Sequence, residues 1–164
     1  MDERMRDNHV RFYKPELDDL WFKRRLLSDP ETMRYNQAWG GVIPFPRDQW
    51  EAWLERWVRC EDGKRFYRYI TIDRSRMFVG EAAYHYDEAS GAWLADVIIL
   101  GRERGKGYGR AGLRLLCEVA QRNGIAVLKD RIAADNPAVQ LFLEEGFEVE
   151  ARTEQSILVA KTLK

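Results

Sequence analysis

The chain has 164 residues, 45% of them hydrophobic and 33% charged, and its 27 basic residues balance its 27 acidic residues. This size predicts a single domain over residues 1–164 with a sizeable core, and the neutral charge argues against nucleic acid as the main partner. The sequence has no apolar run of the roughly 18 residues that a membrane span needs, and no apolar segment follows Met1–Arg4 as in a secretory signal. Two cysteines, Cys60 and Cys117, are too few for a disulfide framework and lack metal-site spacing, so we expect a cytoplasmic protein with neither membrane nor metal.

The first 62 residues are predicted to be mainly helical. Apolar side chains recur there at helical spacing, and proline and glycine interrupt the pattern. The expected elements are a strand at His9–Tyr13, a helix from Pro15 that carries Leu17, Leu20, Trp21 and Leu27, a stop and restart at Ser28–Glu31 with a short helix through Tyr35, a loop at Trp39–Pro46, and a helix at Arg47–Arg59 with Trp50, Trp53, Leu54, Trp57 and Val58 on one face.

From residue 63 onward the pattern is that of a sheet with helices. Three strand-like runs are separated by hairpin-length turns at Asp73–Arg76 and Asp87–Gly91, which predicts an antiparallel meander. Together with the first half this gives the order β-α-α-β-β-β-α-β-α-β-β, an α/β fold with one mixed sheet of about seven strands and helices on both faces. The predicted elements are strands at Phe66–Ile72, Phe78–Tyr86 and Ala92–Leu100, a helix near 107–123, a strand at Val127–Ala133, a helix at Pro137–Glu145, and strands at Phe147–Arg152 and Ile157–Thr162.

Residues 96–112 are the most informative segment, because an apolar strand ends there in a basic, glycine-rich loop that opens into a helix. Glycines allow the backbone to approach a ligand closely, and consecutive N–H groups at a helix N-terminus attract an anion. The pattern therefore indicates a pyrophosphate site. Only Glu103 opposes the four basic residues of this loop, which are Arg102, Arg104, Lys106 and Arg110.

Other interpretations of the glycine loop are weaker. Gly107 to Gly112 also spells Gly-x-Gly-x-x-Gly, with Asp130 about twenty residues later, as in dinucleotide-binding proteins. That motif normally opens a βαβαβ unit, whereas three hairpin-linked strands precede it here. A P-loop is excluded because no Gly-Lys-Ser/Thr follows. The remaining alternative is that the loop is a plain solvated turn.

Two motifs in the right order resemble those of the GNAT superfamily of N-acetyltransferases. Arg104-Gly105-Lys106-Gly107-Tyr108-Gly109 matches the family's Arg/Gln-x-x-Gly-x-Gly/Ala signature, and residues 135–147 resemble its second motif, Asn-x-x-Ala-x-x-Leu-Tyr-x-x-x-Gly-Phe. The run from Ser28 to Met33 is similar to the branch that acetylates ribosomal-protein N-termini. The resemblance covers Phe78–Leu163 well and the first half more loosely.

The resemblance implies acetyl-CoA as co-substrate. The pyrophosphate would lie on the backbone N–H groups of the loop, and the pantetheine arm would fill a gap where the fourth strand splays from the parallel fifth strand. One N–H of the fourth strand would polarise the thioester carbonyl. The residues implied in cofactor binding are Val97, Ile98, Ile99, Arg104, Gly105, Lys106, Gly107, Tyr108, Gly109, Arg110, Asn136 and Phe142.

The acceptor amine must lose a proton before it attacks, and a carboxylate is the usual base. Asp96 is the first candidate and Glu81, on the preceding strand, is the second. His85 lies on the same strand face as Glu81 and is a third candidate or a substrate contact. Tyr35 and Trp39 are candidates to line the substrate pocket.

The sequence departs from the family pattern at two positions. Phe142 stands where the family has a tyrosine that acts as general acid, so Tyr108 or water would have to replace it. Asp135 stands where the family has asparagine, with Asn136 one place later, and either could face the cofactor.

The resulting prediction is an acetyl-CoA-dependent transferase that acetylates a primary amine, either a peptide N-terminus or a small polyamine-like or amino-sugar molecule. The alternatives are a module that binds acetyl-CoA or CoA with little turnover, which Phe142 favours, and a structural dimer with a vestigial site. No nucleic-acid partner is expected, and the oligomeric state stays open between monomer and homodimer.

Overall fold

The computed structural model describes residues 10–72 and 77–163. Seven strands form one sheet in the order β1-β2-β3-β4-β5-β7-β6, and every neighbouring pair is antiparallel except the parallel pair β4 and β5. This confirms the predicted mixed α/β sheet. The strands are β1 (Val10–Tyr13), β2 (Arg65–Ile72), β3 (Phe78–Asp87), β4 (Ala92–Ile99), β5 (Val127–Ala133), β6 (Glu148–Arg152) and β7 (Ser156–Thr162).

Within the described residues, four α-helices connect and cover the strands. They are α1 (Leu20–Ser28), α2 (Trp50–Leu54), α3 (Tyr108–Arg122) and α4 (Ala138–Glu144), and short 3-10 turns precede α1, α2 and α3. Within the part of the chain that the structure describes, no helix is both long and apolar enough to cross a lipid bilayer.

The sheet separates two hydrophobic cores, so most of β3 is buried on both faces. On one face, α3 packs its apolar stripe against the sheet at Leu113, Leu116 and Ala120. This helix lies so close to β2 that a Cβ on Gly112 would stand 2.6 Å from Cδ1 of Ile70. On the other face, α1 and α2 cover an aromatic core that contains Phe22, Trp50, Tyr67, Tyr69 and Phe78.

The predicted short helix through Tyr35 is wrong, because residues 30–35 form turns. The carboxylate of Asp29 accepts hydrogen bonds from the Thr32 N–H at 3.3 Å and from Thr32 Oγ1 at 2.5 Å. These side-chain bonds are of the kind that begins a helix, but the segment does not continue as one. Arg104 instead bonds the carbonyls of Glu31 and Thr32, and the Asn36 N–H closes a turn on the Met33 carbonyl at 2.9 Å. The Thr32 bonds lower the pKa of Asp29.

The predicted helix over Arg47–Arg59 is present but irregular. A 3-10 turn at Arg47–Gln49 leads into α2, and Glu55–Arg59 continue it as a π-helical turn, closed by the Cys60 N–H on the Glu55 carbonyl at 2.9 Å. The other predicted elements lie within a residue or two of the observed ones. His9 and the turn at Asp73–Arg76 lie outside the described residues.

β4 and β5 pair only near the start of each strand and then separate. β4 pairs with β5 only at Trp93–Leu128 and Leu94–Lys129, whereas it pairs with β3 over its whole length. The two parallel strands therefore form a fork that opens toward the carboxyl end of β4. On its other side β4 lies very close to β3 at Gly80, where a Cβ would overlap the carbonyl oxygen of Ile98.

We predict that Gly80→Ala destabilises the fold by about 3 kcal/mol, because the new methyl group meets backbone that cannot rotate away. Gly63→Ala is the control: its Cβ would meet nothing within 4 Å, and its φ of +78° costs only about 1 kcal/mol. Urea unfolding of both variants measures the difference. Equal losses of stability would show that the β3–β4 contact does not constrain this glycine.

Candidate active site

A cavity of about 540 Å³ lies between β3, β4 and the two helices α1 and α2; we call it the α1–α2 cleft. Its floor is the sheet and its walls come from α1, α2 and the irregular segment between them. The lining residues are Lys23, Leu27, Met33, Asn36, Ile43, Pro44, Phe45, Gln49, Ala52, Trp53, Arg56, Glu81, Asp96 and Ile98.

Glu81 is held at the floor of the cleft by two donors. Its Oε1 accepts a hydrogen bond from Lys23 Nζ at 3.1 Å and a second from the hydroxyl of Tyr67, and the residue is only 3% exposed. The ammonium of Lys23 also lies over the rings of Trp53 at 4.9 Å and Tyr67 at 5.0 Å. Burial and the nearby Glu81 charge raise the pKa of Tyr67, so its hydroxyl remains a donor. Glu81 is thus an engaged carboxylate rather than a free one.

Asp96 differs from Glu81 because no described residue donates a hydrogen bond to its carboxylate. It lies on β4 opposite Ala83 of β3, and its exposed side chain lines the cleft. Partial desolvation there, together with the charge of Glu81, raises the pKa of Asp96 to about 7, and the Lys23 ammonium opposes the shift. A carboxylate of this kind can accept a proton near neutral pH.

A second carboxyl group stands at the fork. Asp130 follows the last paired residue of β5, Lys129, and so lies where the two strands begin to separate. Burial raises the pKa of Asp130 well above that of a free carboxyl group, and the charge of Asp96 adds to the shift. The two groups therefore interact, and Asp130 is biased toward its protonated form.

The backbone of β4 offers hydrogen-bonding groups to the gap. The Leu100 N–H donates to the Val79 carbonyl of β3 at 2.8 Å. Since N–H groups alternate in direction along a strand, Ile98 also turns its backbone toward β3, whereas Val97 and Ile99 turn theirs toward β5, which does not pair with them. Of the three residues predicted to contact a pantetheine arm by their backbones, only Val97 and Ile99 face the gap; Ile98 contributes its side chain to the cleft.

The glycine loop lies beyond the open end of the fork and leads into α3. Gly105 and Gly107 have φ values of +80° and +88°, and Gly107 is the N-cap residue of this 15-residue helix. Tyr108 and Gly109 are the first two residues of α3. A Cβ on Gly105 would meet nothing within 4 Å, so the loop leaves open space in front of the helix N-terminus.

The basic side chains of the loop are largely occupied by protein groups. Arg104 donates to the carbonyls of Glu31 at 3.1 Å and Thr32 at 2.7 Å, and its guanidinium lies 5.8 Å from the ring of Tyr35. Lys106 pairs with Glu103 at 2.9 Å. Arg104 therefore anchors the turn at 30–35 to the loop.

Arg110 was predicted to touch phosphate, but in the structure it pairs with α4. Its guanidinium bonds Glu144 and Glu145, each at 2.5 Å, and Arg114 bonds Glu145 at 2.7 Å. These contacts tie α3 to α4. The backbone N–H groups of the loop, rather than Arg104 and Arg110, are consequently the donors available to an anion.

The residues of the second motif build the start and the core face of α4. The side-chain carbonyl of Asn136 accepts the Ala138 N–H at 2.9 Å and so caps this helix, whereas Asp135 is exposed. Phe142 is 3% exposed and packs against Phe147 with ring centroids 4.9 Å apart. The ring at the position of the family's acid is therefore a core side chain.

The three residues predicted to contact substrate are not among those that line the cleft. Tyr35 is half-buried beside Arg104, and Trp39 is 46% exposed in a 3-10 turn next to the lining residue Asn36. His85 packs on Trp57, four residues along β3 from Glu81, and burial lowers its pKa. At about 3.3 Å per residue, it stands roughly 13 Å from Glu81 along the strand.

The sequence did not point to Lys23, Tyr67 or Arg56, and it pointed to Asp130 only in the dinucleotide-binding alternative, not as part of an acetyl-CoA site. Two of them carried a signal: Lys23 interrupts the apolar stripe of Leu20 and Leu27, and Asp130 lies between Leu128 and Ile132 on the apolar side of β5. A charged group on an otherwise apolar face needs a partner or a function.

Comparisons with known proteins agree with this geometry. A family model described as an acetyltransferase (GNAT) domain matches residues 9–147. A ribosomal-protein-alanine N-acetyltransferase from Brucella melitensis has 23% identity and a TM-score of 0.72, over 94% of this chain and 99% of that one. The putative acetyltransferase yncA from Salmonella typhimurium, solved with acetyl-CoA, has 20% identity and a TM-score of 0.75, over 96% and 95%.

A chimera of the spermidine N-acetyltransferase SpeG from Vibrio cholerae with hSSAT has 18% identity and a TM-score of 0.74, over 94% and 95% of the two chains. These structural likenesses concern the fold. No curated protein sequence matches the chain significantly. Since the family model spans most of the chain, and the fork, glycine loop and cleft are in place, the protein belongs to the GNAT acetyltransferase family.

Proposed function

We propose that this protein transfers the acetyl group of acetyl-CoA to a primary amine that enters the α1–α2 cleft. The observation that carries the proposal is the course of β4, which links the two halves of such a site. Its middle places Asp96 in the cleft, its unpaired edge borders the fork, and the glycine loop follows its end.

The residues present fit acetyl-CoA. The unpaired backbone groups of Val97 and Ile99 would hold an extended, amide-containing arm as a neighbouring strand would. The N–H groups from Gly105 to Gly109, at the N-terminus of α3, would hold the pyrophosphate, whereas the Arg104 N–H already bonds the Gly101 carbonyl at 3.2 Å. Bound there, acetyl-CoA supplies an acyl group activated as a thioester.

Asp96 is suited to remove the proton from the amine. An alkyl ammonium has a pKa of about 10.4, so only on the order of one molecule in a thousand is neutral at pH 7. The pKa of Asp96, about 7, leaves a substantial fraction ionised at neutral pH and makes it a stronger base than an ordinary carboxylate. Because Glu81 is engaged by Lys23 and Tyr67, Asp96 is preferred over it as the base.

The proton for the departing thiol need not come from residue 142. A thiol has a pKa of about 8.5, so protonating it at pH 7 is worth only about 2 kcal/mol. Phe142 has no proton to give, whereas Asp130 stands at the fork and is biased toward its protonated form. The other candidate donors are water and Tyr108, which is half-buried at the start of α3.

We predict that Gly107→Ala weakens acetyl-CoA binding at least tenfold, because an anion at the N-terminus of α3 needs close approach to the N-cap backbone and a side chain at φ +88° strains the loop. Gly124→Ala is a matched control: its φ is +84° against +88° for Gly107, and it lies just past the opposite end of α3. In a thermal melt, acetyl-CoA at 100 times its Kd should stabilise the control by about 2.7 kcal/mol, roughly 5–10 °C. An unchanged shift in Gly107→Ala would contradict the loop assignment.

We predict that activity of the wild-type enzyme rises through pH 7 as Asp96 ionises, and that Asp96→Asn removes this rise and lowers kcat/KM about 10²- to 10⁴-fold. The same variant should melt at a higher temperature at pH 8. Because folding raises the pKa of Asp96, its ionisation destabilises the fold as pH rises from about 4 to 7, and the asparagine escapes this cost.

Both effects are measured by a pH series of initial rates and of melting temperatures. A pH profile that keeps its inflection near 7 in Asp96→Asn would assign the base to another group. Tight acetyl-CoA binding by the wild-type protein without turnover of any amine would favour a CoA-binding module instead.

A further inference from the structure

The charged groups of the α1–α2 cleft divide into an engaged pair and an available pair. Lys23 and Glu81 bond each other at 3.1 Å, and their remaining contacts go to Tyr67 and Trp53. This pair therefore presents little net charge to a molecule in the cleft. Asp96, by contrast, has no donor among the described residues and faces the same space.

Arg56 is the cation that the cleft leaves available. It lies on the same helical face as Gln49, Ala52 and Trp53, at spacings of seven, four and three residues, and all four line the cavity. Within residues 10–72 and 77–163, no carboxylate, carbonyl or aromatic ring contacts its guanidinium.

The neighbouring arginines of this segment are placed differently. Arg59 bonds Glu51 at 2.8 Å and Glu55 at 2.6 Å on the outer face, and Arg47 lies over the ring of Trp50 at 5.1 Å. Glu51 and Glu55, which precede Arg56 on the same segment, thus pair with Arg59. The segment neutralises the cation that faces away from the cleft and leaves uncompensated the one that lines it.

The cleft therefore offers one free carboxylate from β4 and one free guanidinium from the helix side, with an apolar wall that includes Trp53, Phe45 and Ile98. A molecule complementary to this arrangement has an ammonium group, an anionic group and an apolar body. A polyamine is the opposite case, because its second ammonium would meet the uncompensated charge of Arg56.

We propose that the acceptor is a small monoamine that also carries a carboxylate, an α- or ω-amino acid, with its amine at Asp96 and its carboxylate at Arg56. This inference rests on the proposed function and names its substrate class. A cavity of about 540 Å³ is of the size that small-molecule sites commonly have, about 300–1,000 Å³. Arg56 sets specificity here by binding the acceptor and takes no part in proton transfer.

The test is a panel of α- and ω-amino acids of graded length, each paired with its own carboxamide, which keeps the shape and removes the negative charge. Spermidine and a short peptide with a free N-terminus complete the panel. We expect kcat/KM to favour the best amino acid over its carboxamide about tenfold, through KM rather than kcat. Arg56→Met should abolish this preference, and Arg56→Glu should reverse it.

Arg59→Met is the matched control, because it removes a guanidinium three residues away that faces the outside. It should keep the acid-over-amide preference of the wild-type enzyme. Since each variant is compared on the same pair of compounds, differences in amine pKa between acid and amide cancel. A preference that survives Arg56→Met, or a kcat/KM for spermidine or the peptide above that of every amino acid, would overturn the proposal.

Calorimetric binding in the presence of CoA separates this inference from the proposed function. If amino acids bind the wild-type protein better than their carboxamides do, and Arg56→Met binds the two equally well, Arg56 recognises the carboxylate even if turnover fails. If amines are acetylated but no amino acid owes a higher affinity than its carboxamide to Arg56, the proposed function stands and the substrate class is wrong.

Discussion

The separation of β4 from β5 is the constraint on which the rest of the site depends. Beyond Leu94 and Lys129, the backbone groups of β4 and β5 that face each other are not hydrogen-bonded to one another. An unpaired buried N–H costs about 1–3 kcal/mol. Such an arrangement persists only if something else holds the strands. Gly80 lets β3 grip β4 closely, and the salt bridges of Arg110 and Arg114 fix α3 to α4. The sheet thus keeps an open edge in its middle.

The sequence predicts the parts of this fold that local patterns control. Strand alternation, hairpin-length turns and the amphipathic stripe of α3 are local, so the residues alone predict most elements and the antiparallel meander. The splay of β4 from β5 was implied only by the resemblance to the family. The turn at 30–35 could not, because its conformation depends on the Asp29–Thr32 bonds and on Arg104, which reaches it from over 70 residues away. The π-helical turn after α2 has no periodic signal of its own.

The site was predictable to the same extent. Asp96 and Glu81 could be proposed as neighbours because adjacent antiparallel strands place them on one face. Which of the two is free could not be foreseen, since that depends on Lys23, which lies 58 positions before Glu81 and approaches from a helix. The glycine loop was located correctly, but the occupation of Arg104 and Arg110 by carbonyl and carboxylate groups follows from tertiary packing alone.

The Lys23–Glu81 pair explains how a cleft with four charged groups can discriminate between ligands. A buried pair adds little stability over an apolar pair of the same volume, while loss of one member leaves an uncompensated charge. Its effect here is electrostatic: the Lys23 ammonium opposes the influence of Glu81 on Asp96 and keeps the pKa of Asp96 near 7. With that pair neutral, a ligand in the cleft is distinguished by the two charges that remain, Asp96 and Arg56. Selectivity between amines then depends on what a ligand carries besides its ammonium group.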